Sequence, residues 1–217
     1  GSFDNFNLAF HVHDKPNHVL VNRNLLASHY NLPSLPAWIN QVHSNISVNA
    51  ELISSKVDAD ASYTRQPGIV CAVLTADCLP IFISNKKGTV VGIAHAGWRG
   101  LVGGVIESLL ASFGLDKNDL IVHLGPAISQ MSFEVGEEVK SQYLSKNVNF
   151  ESCFTKLNDK HYLDLYSAAR VVLKSFGINS ISGGNRCTYN EPDQYFSYRR
   201  DGTKSGRMAH LIWIKPD

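Results

Sequence analysis

Several patterns that usually reveal a protein's chemistry are missing from this sequence of 217 residues. It has no GxGxxG or P-loop pattern for nucleotide phosphates, no HExxH metalloprotease motif and no GxSxG nucleophile elbow. The HxE and PCxxC motifs of the cytidine-type zinc deaminases are absent as well. An active site must therefore be sought in less familiar combinations of residues.

Cysteines are few and widely spaced, which bears on redox state. Cys71, Cys78, Cys153 and Cys187 form no CxxC pair. No segment looks like a secretory signal peptide, and no apolar run approaches the roughly 20 residues that a membrane-spanning helix needs. We therefore expect reduced thiols in a cytoplasmic protein that does not interact with membranes.

Charge of either sign is sparse, and the formal net charge is only +1. A nucleic-acid-binding protein usually presents a basic stripe, and none is evident, so we expect no nucleic-acid partner. A small anionic substrate stays compatible, because a local arginine cluster does not require a basic protein. The hydrophobic content of 44% is ordinary for a domain with a sizeable core.

Apolar runs rich in β-branched residues predict strands that alternate with helices. Strands are expected at 69–74, 79–84, 89–94, 120–124, 178–182 and 209–214, with a hairpin turn at 85–88. Helices are expected at 17–30, 101–113, 134–144 and 163–176, the second and fourth ending at Gly114 and Gly177. This mixture indicates an α/β or α+β fold with a mixed sheet, as one domain over residues 1–217. Gly1-Ser2 fits either a tag remnant or native sequence after a missing N-terminal strand.

Three reactive side chains stand where apolar segments break into turns. His43 lies in the segment QVHS, Cys78 in ADCLP and His95 in AHAGWRG. Two imidazoles and one thiol suffice for a zinc site with an open position or for a Cys/His nucleophile pair. His43 taken alone fits a structural histidine better than a ligand, so a functional role for it depends on partnership with the other two.

Arginines beside two turns offer candidate anion sites. Arg99 lies between Gly97 and Gly100, which permit a tight turn, at the start of a predicted helix where unpaired N–H groups favour a negatively charged ligand. Arg199 and Arg200 occur in an aromatic-rich loop that also contains Arg207. This loop fits a phosphate or base pocket with guanidinium forks, or a solvated turn in which Asp201 pairs locally; both interpretations stand.

Copper chemistry is an alternative that the histidines keep open. His11 and His13 form an HxH pair, and period 2 would place both rings on one face of a strand. A multicopper enzyme needs several such pairs, which nine histidines scattered mostly singly do not supply. A His/His/Cys set with a distant methionine, Met131 or Met208, nevertheless resembles a blue-copper centre superficially.

A series of segments resembles the YfiH-type family. In order they are QVHS, TADCLPI, GIAHAGWRG, GPAIS followed by FEVG, NRCTY, and FSYRRDG followed by GRMAHLIWI. Residues 7–14 and Asn22-Arg23 match in outline, so the resemblance covers nearly the whole chain. Members are described as laccase-like multicopper polyphenol oxidases and as purine nucleoside phosphorylases with adenosine deaminase side activity. His13 departs from the pattern, because the family usually has glycine there.

The resemblance implies a fold of mixed β-sheets flanked by helices, distantly like that of Cys/His hydrolases. It also implies that His43, Cys78 and His95 bind a metal ion, zinc with copper as the alternative. We expect the same three residues to act in catalysis. Arg99, Arg199 and Arg200 are our candidates for binding substrate or phosphate.

The implied reaction is phosphorolysis of an adenosine- or inosine-type nucleoside to the base and ribose 1-phosphate. Adenosine deaminase and methylthioadenosine phosphorylase activities are expected beside it. The expected partners are a nucleoside and phosphate, and the expected state is a monomer or weak homodimer. Two alternatives are a copper-dependent polyphenol oxidase and a metal-free Cys/His hydrolase acting on cell-wall peptide precursors.

Overall fold

The chain folds around two sheets that lie against each other, and helices cover the larger one. The computed structural model describes Phe3, residues 6–114 and residues 117–216. Within these residues the strands are β1 Ala37–Trp38, β2 Ser47–Asn49, β3 Ala61–Thr64, β4 Cys71–Thr75, β5 Leu79–Asn85, β6 Val91–Ala96, β7 Leu120–Leu124, β8 Glu134–Val135, β9 Phe154–Leu157, β10 Lys160–Leu163, β11 Ile181–Gly183 and β12 Met208–Ile212. The helices are α1 Pro16–His29, α2 Trp98–Gly103, α3 Val105–Phe113, α4 Glu137–Lys146, α5 Leu165–Ser175 and α6 Tyr198–Asp201.

The main sheet is mixed and has the strand order β11-β7-β5-β6-β3-β2. A three-stranded sheet, β1-β4-β12, and a small antiparallel sheet, β8-β10-β9, complete the strands described. Together these elements form an α+β fold with mixed sheets flanked by helices, as the sequence predicted.

The two faces of β6 show how the layers meet. At Gly92 an added Cβ would lie 2.9 Å from side-chain atoms of Leu109 and Phe113, so this face packs directly on α3. Ile93, on the opposite face, packs with Cys71 and Val73 of β4. Since side chains alternate along a strand, His95 shares the face of Ile93 and lies at the layer between the two sheets.

Most predicted elements are present, with bounds that shift by a few residues. The 85–88 turn joins β5 to β6 in an antiparallel hairpin, and Gly88 has the positive φ that such a turn requires. The helix predicted at 101–113 begins earlier, at Trp98, and is broken into α2 and α3 by Gly104, whose φ is +98°. The helix predicted from 134 starts only at Glu137, because Glu134 and Val135 pair with β10 as a strand.

The cysteines and the apolar helices agree with what the sequence predicted. All four cysteines are free, and Cys71 and Cys153 are fully buried, as expected of small apolar side chains. No helix among the described residues has both the length and the apolar character that crossing a membrane requires.

Candidate functional site

The three reactive side chains singled out in the sequence meet in space. The ligand atoms of His43, Cys78 and His95 all lie within 4.8 Å of one another. The β5–β6 hairpin creates part of this proximity, because Pro80 pairs with His95 and Cys78 immediately precedes β5. The His43 ring stands edge-on to that of His95, with ring centroids 4.8 Å apart. We call these residues the His–Cys–His cluster.

A buried carboxylate holds both histidines of the cluster in place. Asp60 is fully buried and lies 2.7 Å from Nδ1 of His95. It also accepts the backbone N–H groups of Val42, His43 and Ser44 and the Ser44 hydroxyl, at 2.6 to 3.2 Å. Because an ionised carboxylate only accepts hydrogen bonds, Nδ1 of His95 carries a proton and Nε2 is the nitrogen left to bind a ligand.

The charges of the cluster follow from these contacts. Burial alone would raise the pKa of Asp60, but hydrogen bonds from His95 and Ser44 lower it to about 2. Burial lowers the pKa of His95, yet Cys78 and Asp60 more than offset this and raise it to about 9. Near pH 7, Nε2 of His95 therefore also carries a proton, which a metal ion binding there would displace. The pKa of His43 is lowered by desolvation and by the neighbouring His95. His43 is therefore neutral near pH 7, which is the form that binds metal ions.

Two non-glycine residues of the site have positive φ, a region that needs support from the surroundings. His43 has φ +59° and Asp77 has φ +89°. Asp60 holds the first by accepting its N–H group. The Asp77 carboxylate accepts the Thr188 hydroxyl and the Arg199 N–H, each at 2.6 Å. These bonds fix the turn that presents Cys78.

Gly97 leaves room for the cluster at the start of α2. A Cβ at this position would lie 2.9 Å from Sγ of Cys78 and 3.0 Å from Nδ1 of His43. Both distances are shorter than ordinary van der Waals contact, so any side chain here would displace one of the two. The glycine is required by close approach and not by its φ, which is −65°.

The cluster opens into a cavity of about 500 Å³, a volume in the range of small-molecule sites. Its walls combine aromatic rings with cationic groups, which suits a ligand that has both a flat ring and negative charge. The aromatic and arginine side chains that line it are Trp98, Phe133, Tyr198, Arg99, Arg199 and Arg207.

Two of the three predicted anion-binding arginines line this cavity. The Arg99 guanidinium stacks on the Trp98 ring at 4.3 Å. It makes no hydrogen bond or ion pair with the residues that the structure describes. The Arg199 guanidinium donates two hydrogen bonds to the Glu134 carbonyl, at 3.1 and 3.0 Å. Arg99 is thus the freer of the two to bind an anion.

Arg200 is the predicted anion-binding residue that the structure places elsewhere. Its guanidinium donates to the carbonyl oxygens of Thr188, Tyr189 and Tyr195 and to the Asp201 carboxylate. It lines a separate cavity of about 500 Å³ beside α1. The local pairing with Asp201, the other interpretation that the sequence allowed, is the one that forms.

His11 and His13 do not lie on a strand, which the copper alternative would need to place both rings on one face. Residues 10–14 form turns and bends, and the Asn7 side chain fixes this loop through bonds to Ala9 and Asp14. His11 lines the cavity, whereas His13 is not among the lining residues. The pair therefore does not act as one two-histidine metal ligand.

Comparison with known proteins agrees with the motif pattern. A family model described as multi-copper polyphenol oxidoreductase laccase matches residues 1–215. "Purine nucleoside phosphorylase YfiH" of Escherichia coli K12 is 45% identical over 98% of this chain and 87% of its own length. The chain belongs to the YfiH-type family. "Purine nucleoside phosphorylase PA4543" of Pseudomonas aeruginosa is 40% identical, with the same two coverages of 98% and 87%.

Solved structures of similar proteins share the YfiH-type fold. Neisseria meningitidis protein NMB0706 superimposes with a TM-score of 0.95 and 42% identity, over all of this chain and 89% of its own. YlmD from Geobacillus stearothermophilus gives a TM-score of 0.90 and 30% identity, over 100% of this chain and 87% of its own.

The donor set of this YfiH-type protein fits a metal ion. Two imidazole nitrogens and one sulfur are three of the ligands that zinc takes, leaving a fourth position for substrate or water. The carboxylate–histidine contact of Asp60 with His95 is a common support for such ligands. Within the part of the chain that the structure describes, this is the one group of three or more His, Cys, Asp or Glu suited to a metal ion. The same donors also suit copper.

Sequence reasoning missed Asp60 and Gln41, and it mentioned Arg207 without assigning it a role. Asp60 stands between Ala59 and Ala61, both fully buried, and an acid flanked by small residues before a strand was an available signal. Gln41 donates to the Leu74 carbonyl and accepts its N–H, at 2.8 and 2.7 Å. It thereby joins the loop of His43 to β4, a contact between distant segments that spacing alone does not reveal.

Proposed function

We propose that this protein is a purine nucleoside phosphorylase whose His–Cys–His cluster holds a zinc ion. The names of its relatives support the reaction class, since those proteins are called purine nucleoside phosphorylases. The observation that carries the proposal is the cavity itself, because its walls include both the His–Cys–His cluster and Arg99, whose guanidinium has no hydrogen-bond or ion-pair partner among the described residues. A nucleoside and a phosphate ion are the two ligands such a cavity suits.

Phosphorolysis requires the site to stabilise two developing charges. As the glycosidic bond breaks, positive charge develops on the ribose and negative charge on the leaving purine. Arg99 is placed to hold the phosphate ion that attacks C1′, because its guanidinium lacks a partner among the described residues. The aromatic rings of Trp98, Phe133 and Tyr198 provide surfaces on which a purine can stack.

The cluster supplies the polar groups on the purine side in this proposal. The proton on Nδ1 of His95 is shared with Asp60, which fixes the ring so that Nε2 faces its ligand. His43 is neutral near pH 7, so one of its ring nitrogens can bind zinc without first losing a proton. When bound, zinc would supply a Lewis acid, which also accounts for an adenosine deaminase side activity.

The experiment is a product assay with adenosine and inosine, with and without phosphate. We expect release of base and ribose 1-phosphate only when phosphate is present, and loss of release in Cys78→Ala. Cys187→Ala is the matched control, because Cys187 is a free cysteine that lies outside the cluster. Base release that continues in Cys78→Ala contradicts the site, and release that does not depend on phosphate contradicts phosphorolysis.

A metal-free Cys/His mechanism is the second candidate, and one observation favours it. Cys78 contributes to the raised pKa of His95, so the two groups are coupled as in enzymes with a cysteine nucleophile. Metal analysis of the purified protein, followed by activity after chelation, separates the two mechanisms. Full activity without metal, together with labelling of Cys78 by thiol reagents, overturns the zinc proposal.

A further inference from the structure

The cavity carries positive charge that no free carboxylate neutralises. Asp77 is the one carboxylate among its lining residues, and both of its oxygens already accept hydrogen bonds from Thr188 and Arg199. Arg99 and Arg207 therefore remain as two cations without an acidic partner among the described residues. They belong to different elements, since Arg99 lies in α2 and Arg207 directly precedes β12. Phosphorolysis of an uncharged nucleoside requires only one anion.

Hydrogen bonds from Nη1 hold the Arg207 guanidinium in place, and its other edge has no acceptor among the described residues. Nη1 donates to the carbonyl oxygens of Ser205 and Gly206, at 2.6 and 3.0 Å. The guanidinium carbon lies 5.6 Å from the centre of the Tyr198 ring. Nε and Nη2 have no acceptor among the residues that the structure describes. These two nitrogens form the parallel donor pair that matches two oxygens of a phosphate group.

The backbone of Arg207 is fixed as firmly as its side chain. Its N–H group donates to Oδ1 of Asn7 at 2.9 Å, and its carbonyl accepts the N–H of Leu8 at 3.2 Å. Burial lowers the pKa of Arg207, while Cys78 and Asp77 oppose that shift. A half-buried cation held in this way is stabilised by an anion that binds its free edge.

His11 adds a second donor on the same wall. It lines the cavity and has no hydrogen-bond partner among the described residues. Its pKa is lowered by burial, by Arg207 and by Arg23, so the surrounding charge is positive. The carboxylate of the same loop, Asp14, does not neutralise it, because Asp14 accepts from Asn7 and from the Lys15 N–H.

We propose that Arg207 and His11 form a second anion subsite, and that the substrate is a purine nucleoside monophosphate in preference to the uncharged nucleoside. This rests on the proposed phosphorolysis, in which Arg99 holds the free phosphate ion. The bond between C1′ and N9 breaks, its electron pair stays on N9, and an oxygen of the phosphate ion forms the new bond to C1′. The proton of the phosphate ion passes to the purine. The sugar product keeps its original phosphate ester.

The test compares inosine with inosine 5′-monophosphate as substrates at saturating phosphate. We expect the kcat/KM of the wild type to be at least about tenfold higher for the monophosphate than for inosine, because a charge-assisted pair of hydrogen bonds contributes an affinity gain of about that size. Arg207→Gln abolishes this preference and leaves the KM for inorganic phosphate unchanged. Arg207→Lys, which keeps the charge but loses the fork, gives an intermediate preference. Arg99→Gln does the reverse, raising the KM for inorganic phosphate while the preference persists.

Arg65→Gln is the matched control. Arg65 also donates to backbone carbonyls, of Ser112 and Phe113, and lies 5.7 Å from the centre of the Tyr63 ring, but it does not line the cavity. We expect wild-type values from it. Equal kcat/KM for inosine and its monophosphate in the wild type overturns the subsite, as does an Arg207→Gln variant that loses both substrates equally while its thermal unfolding is unchanged.

Binding measurements separate failure of the subsite from failure of the proposed reaction. Calorimetric titration in phosphate-free buffer compares the affinities of inosine and its monophosphate without turnover. Tighter binding of the monophosphate that disappears in Arg207→Gln supports the subsite even when neither compound yields a sugar phosphate. The absence of any sugar phosphate product would overturn the proposed phosphorolysis but not the subsite. Equal binding of both compounds overturns the subsite whatever the reaction is.

Discussion

At the scale of single residues, the site depends on one buried acid more than on any other supporting group. Asp60 contacts the His95 ring and the backbone of the loop that carries His43. Two histidines of the cluster, from distant parts of the chain, therefore share one support. We expect a change at Asp60 to alter the positions of both, whereas a change at either histidine removes only one side chain.

We expect Asp60→Asn to weaken zinc binding by about 10- to 100-fold, the range typical for partners of metal-binding histidines. The amide keeps one acceptor oxygen but places an NH₂ group opposite backbone N–H donors. Zinc affinity is measured by competition with a chromophoric chelator. Asp58→Asn is the control, because Asp58 is exposed and, among the described residues, its carboxylate accepts a hydrogen bond from Asn40 alone. Equal affinities in the two variants would refute the role given to Asp60.

Gly97 provides a second test at the residue scale, one that changes steric contact and not charge. In Gly97→Ala the new methyl group meets Cys78 and His43 at 2.9 and 3.0 Å. We expect activity to fall on the order of 100-fold, as for other ångström-scale displacements of catalytic groups, with the fold retained. In Gly103→Ala the nearest atom to the new Cβ is 3.9 Å away, so near-wild-type activity is expected. Activity and thermal unfolding of both variants are measured together.

The three cluster residues were predictable because each interrupts an apolar run at a turn. Their convergence was predicted only through the resemblance to the YfiH-type family, because His43 reaches the other two through Asp60 and through the non-local pairing of Gln41 with Leu74, which the local sequence does not reveal. Arg200 shows the opposite failure. Its sequence neighbourhood matches that of Arg199, yet its guanidinium donates hydrogen bonds to backbone carbonyls of the preceding loop, those of Thr188 and Tyr195. Only the folded loop decides which of two adjacent arginines faces the cavity.

At the scale of elements, strong periodicity was sufficient for the buried hairpin β5–β6 and for α5. Short strands escaped prediction, since β2, β3 and β8 have two to four residues and no clear alternation. Gly104 divides the predicted helix because its φ of +98° is not helical. The residue type signalled flexibility, but the tertiary contacts of α2 and α3 decided that the helix breaks there.

The pairing of β4 with β12 contains a buried histidine that should make stability depend on pH. Nε2 of His210 lies 2.7 Å from Oγ1 of Thr75, and burial lowers the pKa of His210 to about 3. The unfolded chain binds this proton near the ordinary histidine pKa of about 6.5. A lowered pKa in the folded state gives stability that is complete above pH 6.5 and is lost as the pH falls towards 3.

We expect the wild type to lose about 2 kcal/mol more unfolding free energy than His210→Gln between pH 7 and pH 5. Glutamine keeps a hydrogen-bonding group near Thr75 but does not titrate. The comparison cancels the contributions of Asp60 and the other histidines, because both proteins contain them. Urea unfolding at the two pH values measures the difference. If the stabilities of the wild type and His210→Gln depend on pH identically, the pKa of His210 is the same in the folded and unfolded states, and the prediction is wrong.

At the scale of the whole molecule, an early and a late segment of the described chain meet at the cavity. Residues 7–11 from one end and 205–207 from the other are joined by hydrogen bonds between Asn7, Leu8 and Arg207. The wall that holds His11 and Arg207 is therefore built from segments about 200 positions apart in the sequence. Because Arg207 directly precedes β12 of the β1-β4-β12 sheet, we expect binding at this wall and global stability to be linked.

Asn7 is the residue that tests this link. Its fully buried side chain contacts Ala9, Asp14 and the N–H of Arg207. In Asn7→Ala these groups lose their partner, and we expect the unfolding free energy to fall by about 2 to 3 kcal/mol. Asn24→Ala, at an exposed position of α1, is the control and should stay within about 0.5 kcal/mol of the wild type. Urea unfolding at constant pH gives both values. Because the N–H of Arg207 loses its acceptor, Asn7→Ala should also weaken binding of the monophosphate. A loss of stability without any change in binding would show that Arg207 is positioned by its own loop alone.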